Sequence, residues 1–223
     1  DDLKYVSPLK RIIAQIFTLL VIYLFSPFKN ILDTLPFHSF LLTSLIIFIG
    51  VYIINTFNFI DGLDGLLAGC MSIILLYYSI NINMQFFPIF AALIGFQFLN
   101  WAPAKVFMGD GGSTFLGAIY FGLIMNSDSY EQVLNLLILS MPLLFDTTYI
   151  IIRRLLAGQN IFKPHKLHLF QRLHQAGLKH SVVSMIYIIS IFLLAISLTL
   201  QGFQLSLIFL FLEILFALYL NKK

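Results

Sequence analysis

The sequence predicts an all-α, polytopic bundle of membrane-spanning helices, and three observations carry that prediction. Hydrophobic residues make up 60% of the 223 and charged residues only 10%, and the mean hydropathy of +0.95 is more than a water-soluble globule of this length can hide. The apolar residues gather in eight runs, each near the roughly 20 residues that a spanning helix needs. The cations, finally, segregate to alternate loops.

The eight runs are 11–26, 38–58, 66–82, 84–102, 114–127, 133–153, 182–200 and 203–220, of which the first and fifth are short. If they alternate in direction, residues 1–10, 57–65, 103–113, 154–181 and 221–223 share one side. Of 13 Lys and Arg, only Lys29 falls opposite, so the positive-inside rule makes the first set cytoplasmic, with both ends of the chain there. The expected organisation is one transmembrane catalytic domain over 1–223, interrupted by a basic amphipathic cytoplasmic loop at 154–181. The single cysteine, Cys70, lies in an apolar run and reads as packing rather than chemistry. No secretory signal pattern is present, and the start at Asp1 without Met suggests a piece of a longer reading frame.

The same orientation brings most of the unusual chemistry to one face. In Asn55-Thr56-Phe57-Asn58-Phe59-Ile60-Asp61-Gly62-Leu63-Asp64-Gly65, two amides and two carboxylates end an apolar run, where polar groups are costly enough to be a functional hypothesis. Asp61 and Asp64 either share a helix face at i,i+3 or occupy a glycine turn. Both arrangements aim two acids at one place, which suits Mg²⁺ held by one or two carboxylates, phosphates and water. The solvated-turn alternative uses the same residues without chemistry.

Phe107-Met108-Gly109-Asp110-Gly111-Gly112-Ser113 forms a second cluster at the start of the fifth run. Glycines let backbone N–H groups approach a ligand, and a helix N-terminus favours phosphate. No Gly-Lys-Ser/Thr follows, so the segment is not a P-loop. Phe107 either stacks on a base or anchors the membrane interface.

The third cluster runs from Phe162 to Gly177, with Leu167, Phe170 and Leu173 at every third position and cations between them. That pattern predicts a short amphipathic helix on the membrane surface, whose basic side, Arg172 above all, can clamp a diphosphate. Four of five histidines fall here, without a zinc-site pattern. Asp146 is either an ion-pair partner of Arg153 and Arg154 or a support for site groups, and Glu213 in the last run has no assigned role.

Asn-x-x-Asn-x-x-Asp-Gly-x-Asp-Gly-Leu at 55–66, Phe-Met-Gly-Asp-x-Gly-Ser at 107–113, the opening Asp1-Asp2 and Pro142 to Thr147 resemble the polyprenyl-phosphate N-acetylhexosamine-1-phosphate transferases, over residues 1 to about 180. The resemblance implies a bacterial cytoplasmic-membrane enzyme with its active site facing the cytoplasm. It implies transfer of a sugar 1-phosphate from a UDP-N-acetylhexosamine to undecaprenyl phosphate, with Mg²⁺, or Mn²⁺ in its place, and release of UMP. On this resemblance Asp110 is the metal ligand, and Asp1, Asp2, Asp61 and Asp64 are the catalytic acids. Asn55, Asn58, Phe107, His165, His168 and Arg172 bind substrate, with Phe107 on uracil. The substrates and the bilayer are the expected partners; nucleic acid is not, and a homodimer is left open.

Two departures qualify the match. The last loop reads His165-Lys166-Leu167-His168-Leu169-Phe170-Gln171-Arg172, where many members carry Asp-x-x-His-Leu-His-His, so only His168 matches that trio. This form is similar to the subgroup that initiates O-antigen chains and unlike the peptidoglycan translocase. Family members also carry further spans before the paired aspartates, which this chain lacks, so a non-catalytic fragment is one alternative. The other, an ion-coupled transporter, predicts polar groups at the midplane. The lipid phosphate is already anionic near neutral pH, so the enzyme must chiefly bring two anions together, and direct attack is the simpler expectation.

Overall fold

The computed structural model describes residues 6–33, 40–160, 165–200 and 203–222. Asp1, Asp2 and the side chain of Glu213 lie outside the described set. The helices in order are α1 (Pro8–Leu24), α2 (Pro27–Asp33), α3 (Phe40–Ile60), α4 (Leu66–Asn81), α5 (Phe87–Asn100), α6 (Gly109–Met125), α7 (Tyr130–Leu156), α8 (Leu169–Gln175), α9 (His180–Leu200) and α10 (Phe203–Lys222), with a 3-10 turn at Met84–Phe86. Each of the eight apolar runs contains one helix. Among the described residues, Phe40–Ile60, Tyr130–Leu156 and His180–Leu200 are long and apolar enough to cross a membrane, and Leu66–Asn81 and Met84–Asn100 are shorter apolar helices. The chain is a helical membrane protein.

Two elements differ from expectation. α2 was not foreseen because it is short and partly polar; Pro27 opens it, and the Ser26 hydroxyl accepts the Lys29 N–H at 3.2 Å. α6 starts at Gly109, five residues before the apolar run, so the glycine cluster forms the first turn of a helix. The positive φ of Gly109, 66°, lets the chain turn into that helix.

The chain divides into two compact units, one from the described residues of 1–59 and 108–136, the other from those of 60–107 and 137–223. In the first, Gly50 of α3 faces Leu19 of α1 and Phe121 of α6. At Gly117 of α6 a Cβ would stand 2.8 Å from the Ile54 Cα of α3, so the two backbones are in direct contact, as small residues permit in membrane bundles. Phe57 and Tyr120 stack across the same seam at 5.0 Å, and the Tyr120 hydroxyl donates to the Leu136 carbonyl at 2.8 Å. The outer faces of these helices carry large exposed apolar side chains such as Phe17 and Phe48, as a lipid-facing surface requires.

In the second unit α4 is the centre, buried along nearly its whole length and packed against α5 and α9. Its Ser72 and Ser79 hydroxyls donate to carbonyls four residues back, at 2.8 and 2.7 Å, so the buried polar atoms are satisfied within the helix. α9 also packs on α8 and α10.

Candidate active site

In the first unit the site grows from the start of α6. Asp110 lies in its first turn, where the helix dipole favours a carboxylate. Its Oδ2 accepts from Arg11 Nη1 at 2.8 Å, and its Oδ1 from Asn58 Nδ2 at 3.3 Å. Asn58 Nδ2 also donates to the Ser113 hydroxyl at 2.8 Å, and the Thr114 hydroxyl donates to the Asp110 carbonyl at 2.6 Å. Three separate helices thus converge on one carboxylate. One turn further into α3, Asn55 Nδ2 donates to Gln15 Oε1 at 3.1 Å and to the Val51 carbonyl at 2.8 Å, so both asparagines of the sequence motif tie α3 to its neighbours.

A cavity of about 370 Å³ opens beside this cluster, lined by Lys10, Arg11, Gln15 and Asp110 together with Ile54 and Phe115. The Arg11 and Asp110 side chains keep 38% and 46% of their surface accessible, so the ion pair is open to a ligand. Arg11, which pairs with Asp110 here, is not among the site residues read from the sequence. It lies 99 positions from Asp110, so no local spacing marks the pair.

In the second unit the Asp61–Gly65 stretch is a turn, not a continued helix, which decides between the two readings of the paired acids. Gly65 has a φ of +72° and lies against Trp101. Its N–H donates to Asn100 Oδ1 at 3.0 Å, and its carbonyl accepts from Gln97 Nε2 at 2.9 Å. Asp64 Oδ2 accepts the Ala104 N–H at 3.2 Å and lies 3.3 Å from His180 Nδ1, while the Asp64 carbonyl accepts from the Ser184 hydroxyl at 2.8 Å. The Asp64 turn therefore fastens the 97–106 segment to α9. Asn100 Nδ2 holds the Val106 carbonyl at 2.9 Å, next to Phe107, whose ring is 74% exposed. Asp61, in the same turn, is partly exposed. None of His180, Gln97, Asn100 and Ser184 was singled out from sequence.

The basic segment also belongs to the second unit. A short helix is present, α8 comprising seven residues, but of the expected stripe only Phe170 is buried, Leu173 is half-buried, and Leu167 lies before the helix and is exposed. Leu169 and Phe170 are buried, and so is His168 at 4%, whereas Lys166 is exposed and His165 and Arg172 are partly so. Asp146 turns to the α8 backbone and to Tyr187, not to Arg153 or Arg154. Arg154 donates to the Asn160 carbonyl at 2.7 Å.

Burial holds the His165 imidazole below the usual histidine range, with the nearby charges of His168 and Arg154 adding to the shift. The unfolded imidazole takes up a proton as pH falls through about 6.5, and the folded one only at lower pH. Between those values the unfolded state binds more protons, so stability is lost as pH falls through that window and regained above it. NMR titration of labelled histidine should show His165 neutral at pH 7 with a midpoint below that of an exposed histidine.

A helical membrane protein whose acid–cation cluster sits at a helix start above an open cavity is the class that this architecture defines. Residues 1–128 match the family model described as glycosyl transferase family 4, and the chain belongs to that family. It is 40% identical over 161 residues to a probable undecaprenyl-phosphate N-acetylglucosaminyl 1-phosphate transferase of Bacillus subtilis strain 168, covering 66% of this chain and 44% of the relative. It is 36% identical over 141 residues to the undecaprenyl-phosphate alpha-N-acetylglucosaminyl 1-phosphate transferase of Yersinia pestis, covering 56% and 38%. The phospho-N-acetylmuramoyl-pentapeptide-transferase of Enterococcus faecalis strain ATCC 700802 / V583 is 32% identical over 177 residues, covering 71% and 54%. The chain spans about half the length of the curated relatives it matches.

Proposed function

We propose that the protein transfers N-acetylhexosamine 1-phosphate, with N-acetylglucosamine the preferred sugar, from its UDP derivative to a polyprenyl phosphate at the cytoplasmic face of a bacterial inner membrane. The observation that carries this reading is the Asp110–Arg11–Asn58 cluster at the α6 N-terminus, beside a cavity lined by Lys10 and Arg11 as well as by apolar side chains. The names of the relatives support the same reaction and the same kind of donor. They leave the polysaccharide pathway, including the O-antigen assignment, to experiment.

Among the described residues no group of three or more His, Cys, Asp or Glu forms a metal cage. A lone, half-exposed carboxylate suits instead a Mg²⁺ that arrives with a diphosphate and takes one protein oxygen, the rest coming from phosphate and water. Asp110 would hold it. When bound, the ion neutralises the diphosphate and stabilises the departing UMP. Mn²⁺ meets the same donors.

The chain's own residues do the rest. Lys10 and Arg11 offset the repulsion between an incoming lipid phosphate and the donor, and the first-turn N–H groups of α6 favour phosphate oxygens. Asn58 keeps Asp110 oriented. By the family resemblance Phe107 would serve uracil, His165 and Arg172 the donor, Asp1 and Asp2 the lipid phosphate, and Asp61 the central stretch, whose turn Asp64 fixes. A lipid phosphate oxygen attacks the sugar-bearing phosphorus. The bond from that phosphorus to the bridging oxygen breaks, and its electron pair leaves on UMP. One anhydride bond replaces another, so no external energy source is required.

The test is UMP release by the full-length protein in nanodiscs with undecaprenyl phosphate and UDP-N-acetylglucosamine. UMP should appear only when lipid is present, stop on EDTA and return with excess Mg²⁺. Release independent of lipid, or unaffected by EDTA, would overturn the proposal.

A further inference from the structure

A carboxylate inside an apolar helix is expensive unless its oxygens are satisfied, and Asp146 of α7, whose side chain is 2% exposed, is satisfied in an informative way. Its Oδ1 accepts the Leu169 N–H at 2.8 Å, and its Oδ2 accepts the Tyr187 hydroxyl at 2.8 Å and, more weakly, the Phe170 N–H at 3.5 Å. His168 Nδ1 lies 3.6 Å from Oδ1. One carboxylate thereby joins α7, the first turn of α8 and α9, all within the second unit.

His168 extends the junction. Its ring stacks on Phe170 at 5.5 Å and tilts against His165 at 5.0 Å, and its backbone N–H donates to Gln171 Oε1 at 3.3 Å. The imidazole that matches the family's motif is therefore part of the interior, while Lys166 is exposed and His165 and Arg172 are partly so.

We propose that Asp146, with Tyr187 and His168, is a latch that positions the basic segment 165–175, and that His168 serves the reaction by holding this segment rather than by touching substrate. The first half rests on geometry alone; the second rests on the transferase reading above. With the latch formed, the cations are ordered before the anionic donor arrives. Without it, the ordering costs free energy at binding, so affinity falls while the chemical step changes little.

The experiment compares Asp146→Asn and Tyr187→Phe with wild type in the full-length protein in nanodiscs. Tryptic cleavage at Lys166 and Arg172 is followed against cleavage at Lys105, and KM and kcat are measured for UDP-N-acetylglucosamine. Loss of one buried hydrogen bond is worth about tenfold. Asp146→Asn should accelerate local cleavage by about tenfold or more, and Tyr187→Phe by less; KM should rise by a similar factor with kcat nearly unchanged. Tyr187→Phe keeps the carboxylate and carries the test if Asp146→Asn does not fold. Unchanged cleavage in Tyr187→Phe, or equal acceleration at Lys105, overturns the latch. Faster local cleavage with an unchanged KM overturns the link to donor binding. Silence of the wild type in turnover counts against the transferase reading, and the cleavage arm still decides the latch.

Discussion

Asp110→Asn abolishes turnover, by about 100-fold or more, while the protein inserts and melts as wild type. The substitution keeps the shape of the side chain and its place in the first turn of α6 but removes the charge that pairs with Arg11 and that the proposed Mg²⁺ would need. Asn58 and Arg11 lose their acceptor in part, yet Arg11 lines a solvent-accessible cavity and Asn58 is only half-buried and keeps the Ser113 hydroxyl as a partner, so stability changes little. Arg11→Gln should weaken the acceptor lipid more than the donor, because it removes a cation and leaves the carboxylate in place. Steady-state kinetics with each substrate varied in turn reads both variants. Wild-type activity in Asp110→Asn would remove the carboxylate from the mechanism.

Gly117→Ala has the next largest effect, and it acts from within the membrane. The new Cβ would meet the Ile54 Cα at 2.8 Å, a backbone atom that cannot rotate away, so α3 must shift from α6. Overpacking of this kind costs about 1–3 kcal/mol. The shift also lengthens the Asn58–Asp110 and Asn58–Ser113 bonds, which span the same pair of helices, so activity should fall more than stability. Gly122→Ala is the control, since nothing lies within 4 Å of its Cβ position. A thermal shift assay beside a UMP assay separates the two; equal behaviour of both variants would contradict the close contact of α3 and α6.

Much of this was legible before any coordinates. The eight helices in the apolar runs follow from hydropathy, because a long apolar run favours a buried or membrane helix, and three of them are long and apolar enough to span. The two motif clusters were visible as polar groups at the ends of such runs, and Asn58 and Asp110 do meet. What sequence could not supply was pairing across distance. Arg11 and Asp110 have no spacing signal, and neither have His180 and Asp64, or Tyr187 and Asp146. Burial was illegible for a related reason: His168 and Arg172 belong to one amphipathic stretch, and only packing against α7 and α9 shows that the first is interior. α2 escaped because a seven-residue helix leaves too few apolar positions to read.

The central claim is that a phosphate travels with the sugar, and one isotope measurement addresses it directly. UDP-N-acetylglucosamine carrying ¹⁸O in the bridge between sugar C1 and phosphorus is supplied with undecaprenyl phosphate, and the lipid product is weighed by mass spectrometry. The account predicts a diphosphate-linked sugar that retains the label, with unlabelled UMP released. A lipid product without the label, accompanied by labelled UDP, would mean that the bond to the sugar itself is cleaved, and would contradict the account.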